Sequence, residues 1–146
     1  MATRHALPAA ATAAARHSQS AAARVAAVSE QLLANLRNLT PLSLANNSGL
    51  ATIHPGALQH SPLLVSLDLA TNPALTSLPP ALLTSLHRLA TLNLTSCSLS
   101  SLQLPASVLH WTSLGLQHNP WTCDCGLASL ARVQTPANLT HRWSEC

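Results

Sequence analysis

The chain contains no phenylalanine, no tyrosine and no lysine, and its only aromatics are Trp111, Trp121 and Trp143. A globule of 146 residues ordinarily fills part of its core with aromatic rings. Here leucine must do that work, which favours a regular layered packing over an irregular one. Charge is also scarce: 8% of residues carry it, in seven arginines, two aspartates and two glutamates. Solubility then rests on Ser, Thr, Asn and His, with attached sugar as a further source. The arginines are scattered, so no dense basic run with stacking aromatics marks a nucleic-acid surface. No stretch is long and apolar enough to span a bilayer. With so few carboxylates to orient a base, eight histidines make no legible Ser-His-Asp arrangement. His54, His60, His87 and His110 are expected as scattered, solvated side chains. Neither a catalytic residue nor a cofactor is expected.

What the chain does have is a period. Leu42-Ser-Leu44, Leu67-Asp-Leu69, Leu92-Asn-Leu94 and Leu114-Gly-Leu116 follow one another at steps of 25, 25 and 22 residues. Three residues past each second Leu stands Asn47, Asn72, Cys97 or Asn119. Three before each first Leu stands Leu39, Leu64, Leu89 or Trp111. The common pattern is L-x-x-L-x-L-x-x-(N/C)-x(1–2)-L-x-x-L. Leu-x-Leu alternation makes a short strand with one buried face, and such strands stack in parallel from repeat to repeat. Asn offers donors and an acceptor to satisfy backbone groups where the chain leaves the strand, and Cys97 is a smaller, weaker donor in the same place. Pro55, Pro79-Pro80 and Pro105 on the return path disfavour long helices and favour extended or 3₁₀ pieces.

On these residues, 32–121 resembles the extracellular leucine-rich repeats. The resemblance implies an α/β solenoid: a right-handed superhelix with short parallel strands on a concave face and an irregular or 3₁₀ convex side. Three regions follow. Residues 1–28 form an Ala-rich leader, read as poorly ordered or as a consequence of where the sequence was cut, with a transit-peptide-like composition as the alternative. Residues 29–121 hold about four repeats, the first partial on its N-terminal side. Residues 119–146 begin a C-terminal cap. A single repeat cannot bury its own leucine face, so the stack must be covered at both ends. At the N-terminal end, residues 22–36 are expected to form a helix partly covering the first repeat.

The stretch Asn119-Pro-Trp-Thr-Cys-Asp-Cys-Gly-Leu directly follows the last strand. It resembles the start of the cysteine-rich cap of secreted and cell-surface members of that family. The cap core would be Trp121, Leu127 and Leu130, the leucines together with Val133 falling at helical spacing. The family pairs the first cap cysteine with the third and the second with the fourth. By that resemblance Cys123 pairs with Cys146, and Cys125 lacks its partner, which suggests a truncated chain, a fragment or an incomplete gene product. Two other readings stay open. Cys123, Cys125 and Cys146 with His118 or His141 could hold zinc, although C-x-C is tighter than the usual knuckle. In a reducing compartment the thiols would remain free.

Asn-x-Ser/Thr occurs at Asn38, Asn46, Asn93 and Asn138. Asn138 and Asn46 fit a glycan best. Asn38 is followed closely by Pro41, and a glycan at Asn93 would obstruct the concave face. The family's usual ligand surface is that face, which here would present Ser43, Ser66, Asp68, Thr91, Asn93, Gln117 and His118. The side chains are small and polar, without the Trp, Tyr or Arg that dominate most interface hot spots. The expectation is therefore a non-catalytic module that binds a protein ligand or co-receptor, as part of a cell-surface or secreted receptor or adhesion protein. Alternatives are an intracellular scaffold with reduced cysteines, and a truncated product without independent function.

Overall fold

The computed structural model describes residues 27–29, 37–106 and 110–122. Its elements in chain order are β1 (Ala27–Val28), β2 (Pro41–Ser43), β3 (Thr52–Ile53), β4 (Ser66–Asp68), α1 (Pro80–Thr84), β5 (Thr91–Asn93) and β6 (Ser113–Gly115). Four of these strands form one sheet in the order β2-β4-β5-β6, and β1 pairs with β3 in a second, two-stranded sheet. Every pairing is parallel.

Register follows the sequence period. Leu42 stands beside Leu67, Leu67 beside Leu92, and Leu92 beside Leu114. Each strand is only three residues long because the apolar alternation is only that long, with the central Leu buried and its neighbours turned outward. Stacked leucines form one core: Leu42, Leu67, Leu92 and Leu114 from the strands, then Leu69, Leu94, Leu50, Leu75 and Leu99 from the turns. Burying one such side chain stabilises by about 1.5–3 kcal/mol, and no repeat obtains that burial without the next.

The return path is more regular than the prolines suggest. Between β4 and β5 it contains α1, in which Pro80 occupies the start of the helix. A proline there has no intrahelical hydrogen bond to lose and its φ suits the first turn. Leu82 and Leu83 are the buried side of this five-residue helix. Thr84 Oγ1 and Ser85 Oγ donate to Ala81 O and Leu82 O, holding the last turn.

The N-terminal end differs from its expected helix. Ala27–Val28 is a strand, paired Ala27 to Thr52 and Val28 to Ile53, and His54 N–H continues the pairing by donating to Val28 O at 2.9 Å. An uninterrupted helix over 22–36 is excluded by that strand. Alanine favours helix in isolation, but propensity yields to a tertiary partner, and here Val28 goes into the core at 1% exposure. The offset from Ala27 to Thr52 is the same 25-residue step as in the larger sheet. β1 is thus the return-path strand of a repeat that precedes β2.

Candidate functional site

The face of the four-stranded sheet turned away from the core carries the expected ligand residues in columns. Pro41, Ser66, Thr91 and Ser113 make one, and Ser43, Asp68, Asn93 and Gly115 the next. Ser43 and His118 are exposed, and Ser66, Asp68, Thr91, Asn93 and Gln117 are half-buried. Several of these polar atoms already serve the strand that bears them. Asp68 Oδ1 accepts the Ala70 N–H at 3.1 Å, and Asn93 Oδ1 accepts that of Thr95 at 3.2 Å. Between columns, Thr95 Oγ1 donates to Gln117 Oε1 at 3.1 Å, and Ser43 Oγ lies 3.5 Å from Asp68 Oδ2. A Cβ on Gly115 would sit 2.6 Å from Asn93 Oδ1 and 3.0 Å from Thr95 Oγ1. The missing side chain at 115 is what lets Asn93 and Thr95 lean across.

Asp68 is the lone carboxylate among the described residues. Among those residues no three His, Cys, Asp or Glu cluster as a metal group. His54, His60, His87 and His110 are exposed. Of the glycan acceptors, Asn38 and Asn46 are exposed, whereas Asn93 is half-buried with its carbonyl engaged.

Beneath the face runs the turn ladder. Asn72 Nδ2 donates to Leu69 O at 2.6 Å and to Leu44 O at 3.1 Å, while its Oδ1 accepts the Asn47 N–H at 2.9 Å. Asn119 repeats the scheme, donating to Leu94 O at 2.7 Å and to Leu116 O at 3.2 Å and accepting from Leu99 N–H at 3.1 Å. Cys97 holds the same slot with one heavy atom: Sγ donates to Leu69 O at 3.2 Å and meets the Asn72 backbone N–H. Burial pushes this thiol above its ordinary value near 9.0, and the charge of Asp68 pushes the same way, against the Asn72 hydrogen bond. In each case the acceptor reaches back to an N–H of the preceding repeat. Asn47 has the downward bond, Nδ2 to Leu44 O at 2.6 Å, but its Oδ1 is buried without a partner.

One recurring feature has no clear signal in the sequence. The residue just before each ladder position lies in the left-handed region: Asn46 (φ 63°), Thr71 (58°), Ser96 (59°) and His118 (59°). None is glycine. The bend turns the backbone N–H of Asn46, Thr71 and Ser96 onto the next repeat, at 2.8–2.9 Å from Ala70 O, Thr95 O and Gln117 O.

At the other end Trp121 packs on the core, half-buried, with Nε1 donating to Leu116 O at 2.8 Å. Cys123, Cys125, Cys146, Leu127, Leu130 and Asn138 lie outside the described residues, as do most of the leader and the rest of the cap.

Parallel strands recurring at chain steps of 25, 25 and 22 residues, each handing its turn bonds to the next, define a protein built of structural repeats. Residues 37–99, which span β2, β4 and β5, match the family described as Leucine rich repeat. That match implies a solenoid-type repeat fold, and such repeats generally mediate protein–protein interaction and are typically non-catalytic. β6 lies outside the matched residues but keeps their register. No curated protein matches the chain. No helix among the described residues is long and apolar enough to cross a membrane.

Proposed function

We propose that this chain is a recognition module of an extracellular or cell-surface leucine-rich-repeat protein, wound as a right-handed superhelix, whose concave face binds a protein ligand or co-receptor. The observation that carries the reading is the sheet face itself: four strands in strict register present Ser43, Ser66, Asp68, Thr91, Asn93 and Gln117 side by side above a closed leucine core. The array of short hydrogen-bonding side chains suits an extended protein surface. The C-x-C after β6 supports an oxidising compartment, with Cys123 and Cys146 closing one staple of the end cap.

Two measurements test the reading separately. Thiol titration of the denatured, unreduced protein should find two of the four cysteines oxidised; four free thiols would place the chain in a reducing compartment. Screening against an array of purified ectodomains should give a partner whose binding is abolished by Ser66→Arg with Thr91→Arg and unchanged by Arg88→Ala. A partner indifferent to the concave pair would remove the assigned face.

A further inference from the structure

We infer that Asn46 carries an N-linked oligosaccharide and that Asn93, a second Asn-x-Ser/Thr acceptor on the same sheet, does not. This rests on the extracellular reading proposed above for the compartment, while the choice between the two acceptors is made by the fold.

Asn46-Asn47-Ser48 forms part of the turn that leaves β2. Asn46 and Ser48 are exposed, and Asn47 between them is buried. Asn47 anchors the turn, its Nδ2 donating to Leu44 O and its N–H to Asn72 Oδ1 at 2.9 Å. The left-handed φ of 63° at Asn46 directs its backbone N–H to Ala70 O at 2.9 Å. Among the described residues the Asn46 side chain makes no hydrogen bond, and neither does the Ser48 hydroxyl. Both residues that the acceptor triplet requires are therefore accessible. This exposure does not depend on what precedes β2. Thr71 holds the same turn position one repeat on, stands between Asn46 and Ser96, and is exposed all the same. Ser96 is half-buried and His118 exposed, so no copy of this rim position is covered.

Asn93-Leu94-Thr95 differs at both required residues. Asn93 is half-buried, and its Oδ1 accepts the Thr95 N–H at 3.2 Å. The Thr95 hydroxyl is engaged as well, donating to Gln117 Oε1 at 3.1 Å. The Asn93 side chain leans so closely over Gly115 that a Cβ there would lie 2.6 Å from Oδ1 and 3.3 Å from Cγ. A sugar on this amide would have to push into β6 or break the bonds around it. A sugar on Asn46 sits at the turn end of the strands and leaves the row of Ser66 and Thr91 open. Asn38 and Thr40 are exposed too. Pro41, however, confines Thr40 to extended backbone, and Thr40 O is held by the Val65 and Ser66 N–H groups. That triplet is the less adaptable one.

The donor class is a lipid-pyrophosphate-linked oligosaccharide. Asn46 Nδ2 forms a bond to the anomeric carbon of the first sugar, and the bond from that carbon to the pyrophosphate oxygen breaks. The lipid pyrophosphate leaves, the amide gives up one proton, and no oxidant or reductant takes part.

The test expresses the full chain in animal cells behind a cleavable secretory signal. The product is treated with peptide N-glycosidase in heavy-oxygen water, which converts each glycan-bearing Asn to labelled Asp, and its peptides are read by mass spectrometry. In the folded, protease-resistant fraction Asn46 should be labelled and Asn93 should not. Ser48→Ala leaves Asn46 in its turn and should remove the label at 46 together with one glycan's shift in gel mobility. An unlabelled Asn46 would overturn the inference. So would a labelled Asn93 in the folded fraction, or a label at Asn46 that survives Ser48→Ala. Because delivery to the lumen is imposed, these outcomes judge the site alone; the thiol titration above judges the compartment.

Discussion

Asn47 and Asn72 are the same residue at the same position of consecutive repeats, and the structure requires them to differ in worth. Replacing Asn72 with alanine removes four hydrogen bonds from a residue with no exposed surface. Three of the abandoned partners keep another donor: Leu44 O retains Asn47 Nδ2 at 2.6 Å, Leu69 O retains Cys97 Sγ at 3.2 Å, and Ala70 O retains the Asn46 N–H at 2.9 Å. The fourth, the Asn47 N–H, is left buried with nothing to bond. Stranding a buried donor costs about 1–3 kcal/mol and each lost bond with a surviving alternative about 0.5–1.5, so Asn72→Ala should cost roughly 3 kcal/mol. Asn47→Ala gives up the bond to Leu44 O, which retains Asn72 Nδ2 at 3.1 Å, and a long bond of 3.4 Å to the half-buried Ala45 O, and it removes an oxygen that has no partner. Its cost should lie at about 1 kcal/mol or below by the same values. Urea unfolding followed by far-ultraviolet circular dichroism measures both, with comparison valid where the slope on denaturant is unchanged. A domain of ordinary stability has about 5–15 kcal/mol in all, so the first variant should melt visibly earlier and the second should resemble the parent. Losses equal to within about 0.5 kcal/mol would refute the reasoning, because they would mean that the ladder bonds act locally and not from repeat to repeat.

Gly115→Ala should destabilise by about 1–2 kcal/mol through crowding against Asn93 and Thr95, and Asn93→Ala in the same chain should recover most of that loss; a simple sum of the two single effects in thermal melts would contradict the close approach. Thr71 adopts φ 58° as a β-branched residue, so Thr71→Asn, a side chain that tolerates the left-handed region, should raise stability by about 0.5–1 kcal/mol; a lower melting temperature would argue against strain there. Cys97 has its pKa raised in the fold by burial. The neutral thiol is therefore the form the fold favours, and the stabilisation is complete below the unfolded value. It is lost as pH rises from there through the folded one. Stability should fall above about pH 8.5–9, and Cys97→Ser should flatten that fall in pH-dependent urea midpoints. An unchanged slope would assign the fall to other groups.

Much of the architecture follows from the sequence because it is periodic. Leu-x-Leu at steps of 25, 25 and 22 residues fixed the strands, their parallel order and their register, and the Asn or Cys three residues on marked the turn. A pattern of that kind describes what is common to all repeats, and what is common is decided by local alternation and spacing. The sheet face was readable for the same reason, since its positions are the residues between the leucines.

What is particular to one repeat was settled in three dimensions. Residues 27–28 read as helix in an Ala-rich context, yet they form a strand because Thr52–Ile53 offers them a ladder one repeat away. The left-handed residues at 46, 71, 96 and 118 share no residue type; the need to aim an N–H at the next repeat imposes the bend on whatever stands there. Pro79-Pro80 reads as disfavouring long helices, and only the packing of Leu82 and Leu83 shows that a short one of five residues begins there. Leu44 and Leu69 hold the same position in consecutive repeats and differ in burial; so do Asn47 and Asn72, which differ in bonding. The repeat pattern sets where each strand and turn falls, but whether a given leucine is covered and a given turn oxygen satisfied depends on the neighbouring repeat, and that is a matter of tertiary structure.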